Sequence, residues 1–185
     1  MKYTDYYKHL LFESLVDKKI IDVPKEPGTV SIPSNHLRLY HYTDATNDEL
    51  ERDGLLISKA KGHMYGEPDF VWASLKQPGN YKKYVEFSVP IDDPRFSMWG
   101  SKPDAYRGAA FYSGKSNDFT FQGDIKPNEF IAIHEPWHHH YRYIVNEKPS
   151  IIQNVLDGEY DYLLQKTSTP DEAQAINAIK TNYGN

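Results

Sequence analysis

A proline inside a histidine-rich stretch limits the fold of this chain more than any other single residue. Residues 134–138 read His-Glu-Pro-Trp-His, which has the letters of the zinc-binding pattern H-E-x-x-H. That pattern works when a helix places both histidines on one face. Pro136 disfavours the α region for Glu135, and inside a helix it would cost about 3 kcal/mol. We therefore predict a strand that ends at Ile133 and a helix that begins at Pro136, so that the two histidines lie on different elements.

The residues after this proline repeat with the period of an amphipathic helix. Its apolar face would contain Trp137, Tyr141, Ile144 and Val145. We expect His138, His139 and His140 to lie on the first turns of a surface helix. A metal-binding enzyme that uses the His134–His140 cluster stays open as an alternative, although the proline argues against the helical H-E-x-x-H geometry.

The composition excludes several functional classes. The chain has no cysteine, which excludes disulfides, thiol catalysis and cysteine-bound zinc. Its formal net charge of −5 provides no overall positive field that would attract nucleic acid. Acidic residues interrupt the short apolar runs at the N-terminus, and no run approaches the roughly 18 apolar residues of a membrane span. We therefore expect a cytoplasmic, monomeric protein without a membrane segment.

The N-terminal part differs in character from the rest of the chain. Residues 3–18 predict an amphipathic helix, and a connector with prolines at positions 24, 27 and 33 follows it. We therefore predict a helix and a connector over residues 1–35. Residues 36–185 would form a single α+β domain whose C-terminal part is helical.

The body of the chain is rich in strand patterns. Alternation of apolar and polar residues predicts strands at residues 37–43, 55–58, 69–75, 84–90, 119–125 and 129–133. A short helix follows the first strand, with a cap at Asp44 or Thr46 and a stop at Gly54. Further helices are predicted at residues 136–146, 149–158 and 170–181. This mixture is typical of the α+β class.

Three short motifs occur in order along these strands. Residues 39–43 read L-Y-H-Y-T, residues 70–74 read F-V-W-A-S, and residues 122–133 read Q-G-D-I-K-P-N-E-F-I-A-I. Together they resemble the motifs of the ADP-ribosyltransferase superfamily. The resemblance implies a split β-sheet core with an N-terminal helix and C-terminal helices. It also implies an enzyme, such as a toxin or effector, that transfers ADP-ribose from NAD to a macromolecular acceptor, either a protein or a nucleic acid.

The resemblance assigns roles to individual residues. The first motif implies that His41 and Thr43 contact the NAD ribose and the nicotinamide amide. Ser74 of the second motif would order the nicotinamide site. The third motif implies a catalytic carboxylate at Asp124, with Gln122 two residues earlier on the same face of a strand.

Departures from the family pattern leave the catalytic carboxylate open. Asp124 stands where glutamate is usual, and His41 stands where the Gln-x-Glu toxins of the family have arginine. In a competing register, the stretch N-E-F-I-A-I resembles the glutamate-bearing strand of the poly-ADP-ribose polymerases. That register makes Glu129 the carboxylate, so both residues are candidates.

Elementary chemistry favours the same residue types. Cleavage of NAD at the glycosidic bond gives the ribose oxocarbenium character, which a carboxylate stabilises. A neutral histidine and a threonine hydroxyl can hold the ribose and the carboxamide by hydrogen bonds worth about 0.5–1.5 kcal/mol each. Tyr42 and Trp72 would form an aromatic wall for the nicotinamide ring. The phosphates need donors, and the candidates are Arg38, Lys59 and Lys61.

Three rival functions stay open. RNA 2′-phosphotransferases of the same superfamily also use NAD, but they would need a basic cleft with several arginines. A non-catalytic module on the same fold would bind NAD, another nucleotide or a protein partner without cleavage. The third rival is the metal-binding enzyme, for which we assign no ligands.

Overall fold

The described part of the structure, a computed structural model, comprises residues 22–56, 71–79, 82–98, 118–121 and 123–184. Within these ranges one antiparallel sheet contains His36–Tyr42 (β1), Val71–Ser74 (β2), Tyr84–Pro90 (β3), Phe96–Met98 (β4), Asp118–Phe121 (β5) and Phe130–His134 (β6). The strands lie in the order β4-β5-β2-β1-β3-β6. Together with the helices, this sheet confirms the α+β class.

The helices of the described ranges follow β1 or come after β6. They are Asn47–Asp53 (α1), Pro136–Glu147 (α2), Pro149–Leu156 (α3), Tyr160–Lys166 (α4) and Pro170–Tyr183 (α5), and a 3-10 turn, Pro127–Glu129, precedes β6. None of these helices is long and apolar enough to cross a membrane. The helix predicted at residues 3–18 lies outside the described residues.

The chain divides into two compact units at Pro136. Pro24–Glu135 contains the sheet and is the sheet unit, whereas the helical unit contains the helices from Pro136 onward together with Val23. This division differs from the predicted boundary near residue 36.

Long-range hydrogen bonds explain why residues 24–35 belong to the sheet unit. The backbone N–H of Gly28 donates to the Glu86 carboxylate of β3 at 3.0 Å. The carbonyl of Val30 accepts a hydrogen bond from the Arg38 guanidinium of β1. The prolines of this segment predicted a connector, because local sequence does not reveal bonds to residues that are tens of positions away.

The core of the sheet unit lies on one face of the sheet. Leu39 of β1 pairs with Phe87 of β3, and both are fully buried. Leu50 of α1 packs into the same cluster. The turn after α1 needs Gly54, whose φ is +80° and whose hypothetical Cβ would lie 2.2 Å from the carbonyl oxygen of Ile125. α1 is thereby held against the sheet by packing and by a close backbone approach.

Most of the predicted elements are confirmed near their predicted bounds. The helix after β1 has the predicted cap at Thr46, which accepts from the Glu49 N–H in a capping box. The strand predicted at 119–125 ends earlier, at Phe121, and Ile125 instead forms an isolated bridge with Leu55. β4 and α4 were not predicted, since each is short and has a weak apolar pattern.

The histidine-rich stretch changes from strand to helix at the predicted position. His134 ends β6, and α2 begins at Pro136. The helical H-E-x-x-H geometry is therefore absent from this stretch, which removes the basis for that metal site. The expectation that His138 is a surface residue is wrong, because it is 6% exposed and its ring lies 4.1 Å from that of Trp137.

Candidate functional site

The sheet opens between β1 and β2. Among the described residues, β1 pairs with β3 at all seven positions from His36 to Tyr42, but its register with β2 contains one pair, Tyr40 with Ser74. A pocket of about 410 Å³ lies at this opening and is lined by residues 40–42, 72–74 and 76–79. His41, Tyr42, Trp72 and Ser74 therefore line one pocket, although 31 positions separate His41 from Trp72.

His41 occupies the opening with a defined hydrogen-bonding pattern. Its Nδ1 lies 2.5 Å from the carbonyl oxygen of Trp72 on β2. A carbonyl can only accept, so Nδ1 carries the proton. Burial lowers the pKa of His41, and the hydrogen bond to Trp72 opposes that effect only in part. The imidazole is therefore neutral at pH 7, and its Nε2 is an acceptor.

Aromatic side chains border the pocket on both strands. Tyr42 is 50% exposed, and Trp72 is half-buried. The Lys82 ammonium lies 5.7 Å from the centroid of the Tyr42 ring. Such an exposed ring with a cation beside it is suited to a flat ligand that carries negative charge.

The turn after β2 completes the pocket with polar groups. The hydroxyl oxygen of Ser74 accepts from the backbone N–H of Lys76 at 3.2 Å, which orders the turn and leaves the hydroxyl hydrogen able to donate. Lys76 lines the pocket as well. Among the described residues, the lining includes a lysine and no carboxylate, even though the whole chain has a net charge of −5. The pocket is thus suited to an anionic ligand.

Thr43 lies beside this pocket but is not part of its described lining. Its hydroxyl oxygen accepts from the backbone N–H of Ala45 at 3.1 Å, and its own N–H donates to the carbonyl of Lys83 at 3.3 Å. These bonds shape the turn into α1. The predicted contact of Thr43 with NAD stays a prediction.

The two carboxylates predicted from the third motif lie elsewhere. Glu129 pairs with Arg95 and accepts from the backbone N–H of Lys126 at 2.6 Å, which holds the 3-10 turn. Asp124 lies 3.5 Å from the Lys126 ammonium, and its carbonyl accepts from Arg95 at 2.7 Å. Neither side chain lines the pocket of His41. Both residues follow the end of β5 at Phe121, which pairs with Val71, the first residue of β2. The pocket lies at the other end of β2, at Ser74.

A different acidic residue is the strand partner of Ser74. Asp118, the first residue of β5, is the Cα partner of Ser74, which in turn is the partner of Tyr40. Sequence reasoning missed Asp118 because it began the strand at residue 119. The available signal was an acidic residue at the head of the pattern D-F-T-F.

Arg38 is placed differently from its predicted role as a phosphate donor. Its guanidinium pairs with Glu86 and donates to the carbonyl of Val30. Glu86 is 1% exposed and also accepts from Nε2 of His134 at 2.7 Å. Burial raises the pKa of Glu86, but the hydrogen bonds from His134, Gly28 and Arg38 outweigh burial and lower it overall. Arg38 therefore compensates a buried charge of the fold.

Gln122, Lys59 and Lys61 lie outside the described residues. Within the described ranges, no group of three metal-ligating side chains is close enough to hold an ion. No protein-family model, curated protein or solved structure matches this chain.

Proposed function

We propose that the protein is an NAD-dependent ADP-ribosyltransferase that transfers ADP-ribose to a macromolecular acceptor. The observation that carries the proposal is the pocket at the opening between β1 and β2, where a neutral, oriented His41 meets Ser74 and two aromatic side chains. The pocket supports this function because it unites the first two motifs, which resemble that superfamily.

The pocket chemistry suits the nicotinamide riboside half of NAD. Nε2 of His41 can accept a hydrogen bond from a ribose hydroxyl, because its Nδ1 proton is engaged by Trp72. The Ser74 hydroxyl can donate to the carboxamide oxygen. The exposed ring of Tyr42 provides a surface on which nicotinamide can stack.

The same pocket offers cations for the diphosphate. Lys76 is part of the lining, and Lys82 lies against Tyr42. We assign these two lysines as phosphate donors in the described part of the site, in place of Arg38. Lys59 and Lys61 stay predicted donors from the preceding loop.

We assign the catalytic carboxylate to Asp118 rather than to Asp124 or Glu129. Its register position opposite Ser74 supports this choice. A carboxylate there would stabilise the oxocarbenium character of the ribose as the bond to nicotinamide breaks, and the acceptor nucleophile would then form the new bond to C1′. Nicotinamide leaves with the electron pair of the broken bond.

The test is incubation of the full chain with labelled NAD, with and without cell lysate. We expect nicotinamide release and transfer of label to a lysate component. Asp118→Asn should reduce release by about 10²-fold or more, whereas Asp124→Asn is the matched control and should keep the wild-type rate. Loss of activity in Asp124→Asn with full activity in Asp118→Asn would reverse the assignment. No NAD binding by the wild-type protein would refute the proposed function.

A non-catalytic NAD-binding module is the second candidate. It is favoured by one observation, which is that no carboxylate belongs to the described lining of the pocket. Calorimetry with NAD separates the two functions when it is combined with the release assay. Binding without nicotinamide release, unchanged by Asp118→Asn, would identify the module.

A further inference from the structure

Among the described residues of the sheet unit, the carboxylate of Glu86 on β3 is a deeply buried charge, with the residue 1% exposed. It accepts hydrogen bonds from three separate segments: the backbone N–H of Gly28 at 3.0 Å, the guanidinium of Arg38, and Nε2 of His134 at 2.7 Å. A buried carboxylate is tolerated only with such compensation. The three bonds therefore make Glu86 the point at which residues 24–35, β1 and β6 are joined.

One of these bonds holds a turn over Tyr40. Thr29 N–H donates to the carbonyl of Glu26 at 3.2 Å, and Gly28 within this turn has a φ of +82°. A Cβ on Gly28 would lie 3.5 Å from the Tyr40 hydroxyl, so the turn covers that side chain. Tyr40 is 6% exposed as a result.

Tyr40 also belongs to the pocket. It is the Cα partner of Glu86 on one side and of Ser74 on the other, so the three residues form one row across the sheet. Tyr84 packs edge-on against the Tyr40 ring, with centroids 6.0 Å apart. Strand partners hold the Tyr40 backbone on both sides, so the turn at residues 26–29 acts on the position of the Tyr40 side chain.

We propose that Glu86 is a positioning residue for the pocket. It acts through the turn at residues 26–29, which holds Tyr40 in the place where it lines the ligand site. Glu86 does not line the pocket itself. The inference concerns how ligand binding depends on this carboxylate, and it rests on the proposed function for the identity of the ligand.

A second ion-pair network of the sheet unit provides a matched control. Arg95 pairs with Asp93 at 2.7 Å and with Glu129, and the side chain of Asp93 is 8% exposed. This network joins the turn after β3 to the 3-10 turn before β6, and none of its members lines the pocket. Asp93→Asn should therefore destabilise the same unit without moving Tyr40.

The experiment compares wild type, Glu86→Gln and Asp93→Asn in the full chain labelled with 3-fluorotyrosine. The Tyr40 resonance is assigned with Tyr40→Phe, and NAD affinity and cleavage are measured on the same proteins. We expect Glu86→Gln to move or broaden the Tyr40 resonance. It should raise the KM for NAD about tenfold while kcat stays within about twofold. Asp93→Asn should leave the Tyr40 resonance and KM unchanged.

The two proposals fail in different ways. If wild type neither binds nor cleaves NAD, the proposed function is refuted, and the Tyr40 resonance alone decides the role of Glu86. An unchanged resonance in Glu86→Gln, or equal changes in Asp93→Asn, overturns the positioning role. If Glu86→Gln does not fold, Gly28→Ala takes its place, because it strains the turn at a φ of +82° and keeps the carboxylate. It should move the Tyr40 resonance in the same direction.

Discussion

The two borders of β1 differ in how they are held. Towards β3, every residue of β1 has a backbone partner, and the fully buried pair Leu39 and Phe87 lies at the centre. Towards β2, the register within the described residues contains one pair, and the side chain of His41 bonds to the Trp72 carbonyl. The comparison teaches that one strand can be the rigid centre of a sheet and the wall of a pocket. The border with β3 provides stability, and the border with β2 provides the lining of the pocket.

The largest effect should follow from breaking the border with β3. Phe87→Ala removes a fully buried ring that packs against Phe121 with centroids 5.8 Å apart. We expect the free energy of unfolding to fall by about 3–5 kcal/mol, measured by urea denaturation. A loss below about 1 kcal/mol would show that this border is not the stabilising one.

A substitution at the border with β2 should lower the affinity for NAD more than the free energy of unfolding. His41→Ala removes one hydrogen bond, so we expect the free energy of unfolding to fall by less than about 1.5 kcal/mol. NAD affinity, measured by calorimetry, should fall about tenfold or more. His36→Ala at the other end of β1 is the control and should bind NAD like wild type. Equal binding by both variants would contradict the assigned role of His41.

The pH dependence of the free energy of unfolding tests the state of His41 at the border with β2. Burial lowers the pKa of this imidazole, with the Trp72 hydrogen bond opposing in part. The unfolded chain, with an ordinary pKa of about 6.5, therefore takes up a proton more readily than the folded protein. Stability should decrease as the pH falls below about 6.5. The stability difference between wild type and His41→Ala should shrink over that range, and a constant difference would mean that His41 titrates normally.

The smallest effects should distinguish two serines on the two borders. Ser74→Ala removes a hydrogen bond to the Lys76 backbone, and Ser88→Ala removes the contact of Ser88 Oγ with His36, at 3.4 Å. Each change should lower the free energy of unfolding by about 1 kcal/mol or less. Only Ser74→Ala should weaken NAD binding, by a few-fold in calorimetry. Weaker NAD binding by Ser88→Ala would contradict the proposed difference between the two borders of β1.

Local signals in the sequence predicted much of the fold and part of the site. The capping box at Thr46 and the positions of β1 and β3 follow from residues that lie next to each other in the chain. His41, Tyr42, Trp72 and Ser74 were identified from motifs, and the structure brings them to one pocket. Asp124 and Glu129 were identified in the same way and lie outside it, because a motif match does not reveal where a strand ends.

The sequence by itself determined the change from strand to helix at Pro136, because proline restricts its own backbone and that of the preceding residue whatever the surroundings. Only the tertiary structure decided that Asp118 is the register partner of Ser74, that Glu86 is buried beneath a turn made by Gly28, and that His41 is neutral. The physical reason is that strand register, burial and hydrogen-bond partners depend on residues distant in the chain. Their contributions exist only once the sheet has formed.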